Sequence, residues 1–326
     1  MRIRKVFAWL IFLAMTCWGT MAIAYSGLSA GLRPVAAGAF GIAAFGSVLL
    51  PRSSVGKIAL FSSVFGLVLA WWLALPPRND RDWQPDVATL PSATIRGSTV
   101  TIHDIRNCDY RSESDYTVRH YDRTFNLESL RRMDLFLVDW GMPHIAHTML
   151  SFGFDNDEYV CISIETRKEK GEEFSAVRGF FRQYELIYVV ADERDLVRLR
   201  TNYRTGEDVY LYRLKASPEL IRLVFMDYLK TVNMLIERPE WYNALTVNCT
   251  TAIWKHIVPY YPKAKFDWRI LASGHADEMV YELGAVDQTL PFPELRRRSR
   301  INERSKAADR DPAFSRIIRQ GLPGFE

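Results

Sequence analysis

Charge is missing from most of the first quarter of this 326-residue chain. No Asp, Glu, Lys or Arg occurs between Lys5 and Arg33, from Pro34 to Pro51, or from Ile58 to Pro77. Uncharged runs of that length do not form the surface of a water-exposed domain. Cysteine is sparse too. The four, Cys17, Cys108, Cys161 and Cys249, form no C-x-x-C pair, which excludes the common zinc-site spacing and a dense disulfide framework. A Cys108–Cys161 bridge is left open. The basic excess is small, +4 from 42 Lys and Arg against 38 Asp and Glu, and its one run is Arg296-Arg297-Arg298. That is no electrostatic footprint for nucleic acid, and the triplet reads as a solvated turn. Internal repeats and low-complexity segments are absent, and no motif calls for a metal or another cofactor.

What is present divides at residue 77. Spanning a bilayer takes about 20 apolar residues, with about 17 as a lower limit. Residues 1–77 supply three such stretches: Val6 to Tyr25, the Gly- and Ala-rich run Pro34 to Pro51, and Ile58 to Pro77. Small residues in the second suit close packing against the other two. Arg2, Arg4 and Lys5 precede the first span, and Arg52 and Lys57 lie between the second and third, against Arg33 alone between the first and second. Basic residues stay cytoplasmic, so the chain beyond residue 77 is expected on the other face, the periplasm of a Gram-negative cell. A cleaved signal peptide ending at Ala22-Ile23-Ala24 would leave that outcome unchanged. Ala14-Met15-Thr16 before Cys17 is a poor lipoprotein box.

Residues 78–94 read as an extended linker, with Pro85, Pro91, alternating charge, and Trp83 at headgroup height. Residues 95–300 read as one α+β domain, and 301–326 as a C-terminal tail. Strands are expected at Thr99 to Ile105, Tyr159 to Glu165, Tyr184 to Ala191 and Val209 to Leu214. Leu130 to Trp140 and Ile145 to Phe154 are strands, or a short helix and then a strand. Asp155-Asn156-Asp157 is a turn signal. Ser217-Pro218-Glu219 opens a helix to about Glu237.

The stretch Leu245-Thr246-Val247-Asn248-Cys249-Thr250-Thr251-Ala252-Ile253-Trp254 is the chemically suggestive one. Asn248 caps a helix that Pro259 stops, placing Cys249 at its start, where free N–H groups and the helix dipole favour a thiolate. A thiol nucleophile needs a base and a group that orients the base. His256 is two helical turns away and cannot touch Cys249. His147 sits in an apolar strand, where an imidazole needs a task or a firm hydrogen bond. Glu165, on the next strand, is the candidate third group, with Ser163 on the same face as its substitute. His144 reads as a loop residue, and His103, His120 and His275 have no arguable partner.

A strand His, a polar residue on the next strand and a later Cys at a helix start resemble the permuted papain-like arrangement of NlpC-type and lecithin retinol acyltransferase-type enzymes. More closely, about Ile95 to Arg300 resembles the Lnb N-terminal periplasmic domain family. The resemblance is carried by Arg106-Asn107-Cys108-Asp109-Tyr110-Arg111-Ser112, Ile145-Ala146-His147-Thr148-Met149-Leu150-Ser151-Phe152-Gly153-Phe154, Ser163-Ile164-Glu165-Thr166-Arg167-Lys168-Glu169, Ala191-Asp192-Glu193-Arg194-Asp195 and Tyr242-Asn243-Ala244-Leu245-Thr246-Val247-Asn248-Cys249-Thr250-Thr251. It implies a Cys249 nucleophile and a His147 base, because the family's named member is a lipoprotein N-acyltransferase. That member carries its membrane spans after the domain; here they come before it. The expectation is a membrane-anchored periplasmic cysteine acyltransferase acting on lipid or lipoprotein esters. Its alternatives are a papain-like amidase or peptidase on cell-wall peptide, and a non-catalytic membrane-anchored binding domain.

Overall fold

A computed structural model describes residues 2–29, 31–51 and 53–325. Arg52, one of the basic residues that set the expected orientation, lies outside the described residues. Two compact units emerge: residues 1–78 with 173–185 and 241–244, and residues 79–172 with 186–240 and 245–326.

The first unit holds three helices, α1 (Arg2–Ala24), α2 (Leu32–Leu49) and α3 (Ser54–Ala74), each long and apolar enough to cross a membrane. At about 1.5 Å per residue even the shortest, 18 residues, reaches about 27 Å, close to a hydrocarbon core. Small residues set the packing. The Phe40 ring of α2 lies so close to Gly19 of α1 that a Cβ there would stand 2.5 Å from it. Phe12, Phe40 and Phe61 close the interior of the bundle. On α3 only Phe61 is buried, as befits a helix facing lipid.

The second unit is built on one mixed sheet. Its strands are β1 (Ser92–Arg96), β2 (Thr99–Arg106), β5 (His120–Asn126), β6 (Leu130–Asp139), β7 (Ala146–Phe154), β8 (Tyr159–Arg167), β9 (Glu185–Ala191) and β10 (Asp208–Arg213); β3 (Asp109–Tyr110) and β4 (Tyr116–Thr117) form a separate two-stranded ladder. The order is β1-β2-β9-β8-β7-β6-β10, with β5 also paired to β2. All nine residues of the central β7 are buried. Its alternation feeds two layers. Thr148 and Phe152 meet α5 (Pro218–Glu237) and α6 (Cys249–Ile257), through Thr250 and Phe225. Met149 and Ser151 meet α4 (Glu193–Arg198), through Leu196 and Glu193. The helix α5 starts where Ser217 Oγ accepts from the Leu220 N–H, and buries Ile221, Val224, Phe225, Tyr228, Leu229, Val232 and Leu235 at helical spacing. The mixed α+β architecture and three apolar helices agree with the sequence reading, as do the strands: Leu130 to Trp140 and Ile145 to Phe154 both resolve as strands.

Two segments differ from the expectation. Residues 301–326 are not a loose tail: Ile301, Phe314, Ile318 and Leu322 pack into the core beside Phe136, Val138 and Met149. Arg319 there bonds Asp134 (Nε to Oδ2, 2.9 Å) and Glu193 (Nη1 to Oε2, 2.8 Å), both fully buried. Residues 79–94 are not an extended tether either. Trp83 is buried in the same core with the Arg167 guanidinium 4.2 Å over its ring, and Arg167 Nε donates to the Val87 carbonyl (2.9 Å). Proline and alternating charge suit a strap laid on a fold as well as a free linker, and only the aromatic anchor separates the two. All four cysteines are free thiols.

Candidate active site

Asn248 starts α6 as expected, and more firmly. Its side chain accepts from the Thr251 N–H (2.9 Å) while Thr251 Oγ1 accepts from the Asn248 N–H (2.8 Å), a reciprocal capping box. Cys249 is therefore the first helical residue, where backbone N–H groups lack partners within the helix.

Three buried cysteines in the second unit show what this position does. Burial pushes the Cys108 thiol up to about 12 and Cys161 well above its ordinary value. Burial pushes Cys249 the same way. There, however, the charge of the His147 ring, a hydrogen bond from that ring, and the backbone N–H and hydroxyl of Thr148 bring the thiol down to about 6. A thiol that ionises near neutrality has the chemistry a cysteine nucleophile needs.

His147 is held from its other side. Its Nε2 lies 2.7 Å from Ser163 Oγ, and the Ser163 hydroxyl donates to Glu165 Oε1 at 2.6 Å. With its single proton committed to Glu165, Ser163 must accept at the ring, so Nε2 donates to Ser163 and Nδ1 is left for the sulfur. Glu165 Oε1 itself is 3.8 Å from Nε2, beyond hydrogen-bond range. Burial would raise the Glu165 carboxyl. Arg200, donating from Nη2 at 2.8 Å, and His147 hold it far below the usual carboxylate range. The run is therefore Cys249, His147, Ser163, Glu165, Arg200. Its register follows from the sheet: β7 and β8 pair from Gly153↔Tyr159 to Met149↔Ser163, and His147 and Glu165 lie two residues beyond that last pair.

The three residues named from sequence thus come together, with Ser163 inserted between His147 and Glu165. Arg200 has no counterpart in the sequence reading. It sits in a π-helical turn, Leu199–Tyr203, that carries it inward from an arginine-rich stretch indistinguishable from surface. His256 belongs elsewhere, fixed between Asp227 (Nδ1, 2.7 Å) and Tyr188 (Nε2, 2.8 Å). His144 and His275 face each other at 3.0 Å.

Behind α6 opens an apolar cleft lined by Leu135, Ile253, Ile257 and Leu283 and reaching Thr148 and Thr250. Those threonines follow His147 and Cys249 in sequence, and their hydroxyls touch at 3.0 Å. The cleft therefore ends at the sequence neighbours of His147 and Cys249.

Residues 116–274 match the family model described as the Lnb N-terminal periplasmic domain, a stretch that includes His147, Ser163, Glu165, Arg200 and Cys249. No curated protein and no solved structure matches the chain. The match and the three apolar helices fit a membrane-anchored protein with a periplasmic domain.

Proposed function

We propose, from a chain whose residues 116–274 match the Lnb N-terminal periplasmic domain family, a membrane-anchored cysteine acyltransferase of permuted papain-like fold that works on lipid or lipoprotein esters. The observation that carries this reading is the hydrogen-bonded run His147–Ser163–Glu165–Arg200 set against Cys249 at the first turn of α6, an arrangement that lowers the buried thiol. The apolar cleft reaching Thr148 and Thr250 favours an acyl chain over a cell-wall peptide, because a peptide would leave polar groups unpaired against aliphatic walls. The three helices span the inner membrane and leave the domain in the periplasm, on the side opposite the basic N-terminus.

The reaction runs in two halves. The Cys249 thiolate adds to the ester carbonyl carbon, and the oxyanion meets first-turn N–H groups of α6. Collapse of the tetrahedral adduct breaks the ester C–O bond. The alcohol leaves with the proton held by His147, and a thioester remains. An amine then adds to the thioester carbonyl, His147 takes its proton, and the thiolate departs from an amide. Ser163 fixes the ring throughout, and Glu165 with Arg200 fixes Ser163.

The test is to incubate the detergent-solubilised chain with a p-nitrophenyl fatty-acyl ester and read intact mass. One acyl group on Cys249, absent from Cys249→Ala and discharged by an added primary amine, is the expected result. Nitrophenol release without any adduct or amide would replace acyl transfer with hydrolysis. No reaction beside an active thiol-acylating control would leave a non-catalytic domain.

A further inference from the structure

Within the unit that holds the membrane helices, residues 173–185 are bound to the ends of α1 and α3. Arg182 Nη1 donates to the carbonyls of Trp72 (2.9 Å), Leu73 (2.9 Å) and Leu75 (3.2 Å). These belong to the last turn and C-cap of α3, where most carbonyls lack a partner within the helix. The guanidinium also lies 4.3 Å over the Trp72 ring, and Trp72 Nε1 donates to the Phe181 carbonyl at 3.4 Å. Phe181 meets Trp18 (6.2 Å) and Tyr25 (5.7 Å) near the end of α1, and Arg178 stands 5.8 Å over Tyr25. Trp, Tyr and stem-burying Arg are the residues that collect where hydrocarbon gives way to headgroups. The segment is thereby fixed at the level where the helices leave the apolar layer.

From this fixed segment three large apolar side chains point outward within seven residues: Phe174 is 47% exposed, Val177 45% and Phe180 42%. Scattered apolar residues on a surface need no explanation, but a cluster on a loop clamped to the ends of membrane helices does. We propose that residues 173–181 form an interfacial element, with Phe174, Val177 and Phe180 sunk into the headgroup–acyl boundary of the leaflet from which α3 emerges. The occupant is lipid because the patch lies on a segment bonded to the ends of α1 and α3, helices whose exposed apolar side chains take the same solvent. Arg178 and Arg182 flank it with the charge that anionic headgroups attract. Bilayer contact would thus come from a loop of the sheet-bearing half of the sequence as well as from the helices.

The test places spin labels on Val177→Cys and Phe180→Cys, and on Asp155→Cys in the β7–β8 turn as the aqueous control. All three carry Cys17→Ser and Cys249→Ala, so the outcome is independent of any catalytic role for Cys249. The full chain is reconstituted into phosphatidylglycerol–phosphatidylethanolamine vesicles, and label collisions with oxygen and with a water-soluble nickel chelate are compared. Oxygen should dominate at 177 and 180, and the chelate at 155. Chelate dominance at 177 and 180 would overturn the proposal. So would exclusion of both reagents there, which would mean that protein covers the patch. The substituted positions are exposed, and the mobility of the label at 155 reports that the domain has folded.

Discussion

At Cys249 two opposed effects meet, burial raising the thiol and His147 with Thr148 lowering it further. The rate of alkylation by iodoacetamide should therefore rise through a midpoint near pH 6 and level off above it. In His147→Ala burial is left less opposed, and the midpoint should move upward by more than one pH unit. The linkage has a definite sign. Folding lowers this thiol from 9.0 to about 6, so its stabilising contribution is complete above pH 9 and disappears as pH falls through 6. Ser163→Ala should slow acylation of Cys249 about tenfold, roughly the worth of one lost hydrogen bond to a charged ring, whereas Ser163→Thr should restore it. Stopped-flow acylation of the three proteins measures this. Cys249 and His147 were legible in the sequence because each violates its surroundings: a cysteine behind a cap residue, an imidazole in a strand with no exposed position. The order of Ser163 and Glu165 was not, since alternation assigns both to one face without saying which hydroxyl or carboxylate reaches the ring.

Among the elements, α6 couples stability to chemistry. The capping box fixes the first turn from which Cys249 projects. Asn248→Ala should cost about 1 kcal/mol in denaturant unfolding. It should also raise the alkylation midpoint, because a frayed first turn no longer holds the sulfur against the Thr148 N–H. Asn248→Asp should preserve stability, since aspartate caps as well. Most elements could be read from the chain: β6, β7 and β8 from apolar alternation, α5 from Ser217-Pro218, the membrane helices from missing charge. The π-helical turn that delivers Arg200 to Glu165 has no comparable signature, because its i→i+5 bonding depends on neighbours distant in sequence.

For the molecule as a whole, the segment from Ile301 to Leu322 is a structural member of the domain. Phe314, Ile317, Ile318 and Leu322 stand at helical spacing, but the run is too short to mark a core element, and the arginine triplet before it reads as a solvated turn. Deleting 301–326 should leave a protein that binds a hydrophobic dye and loses its cooperative melt. The narrower change Arg319→Ala removes the common partner of Asp134 and Glu193, of which Asp134 keeps Arg213. It should cost about 3–5 kcal/mol, read as a shift in urea midpoint, because a fully buried carboxylate loses its cation. Arg319→Lys should recover only part of that, since one ammonium cannot reproduce the fork that spans two acids.

That same segment constrains how the protein is made. The hydrophobic layer under β6 and β7 is closed by side chains between positions 301 and 322, which are synthesised after every strand of the sheet. The sheet of a growing chain must therefore wait, open on one side, until those positions have also been made. Chaperones guarding exposed strands would be needed most in that interval.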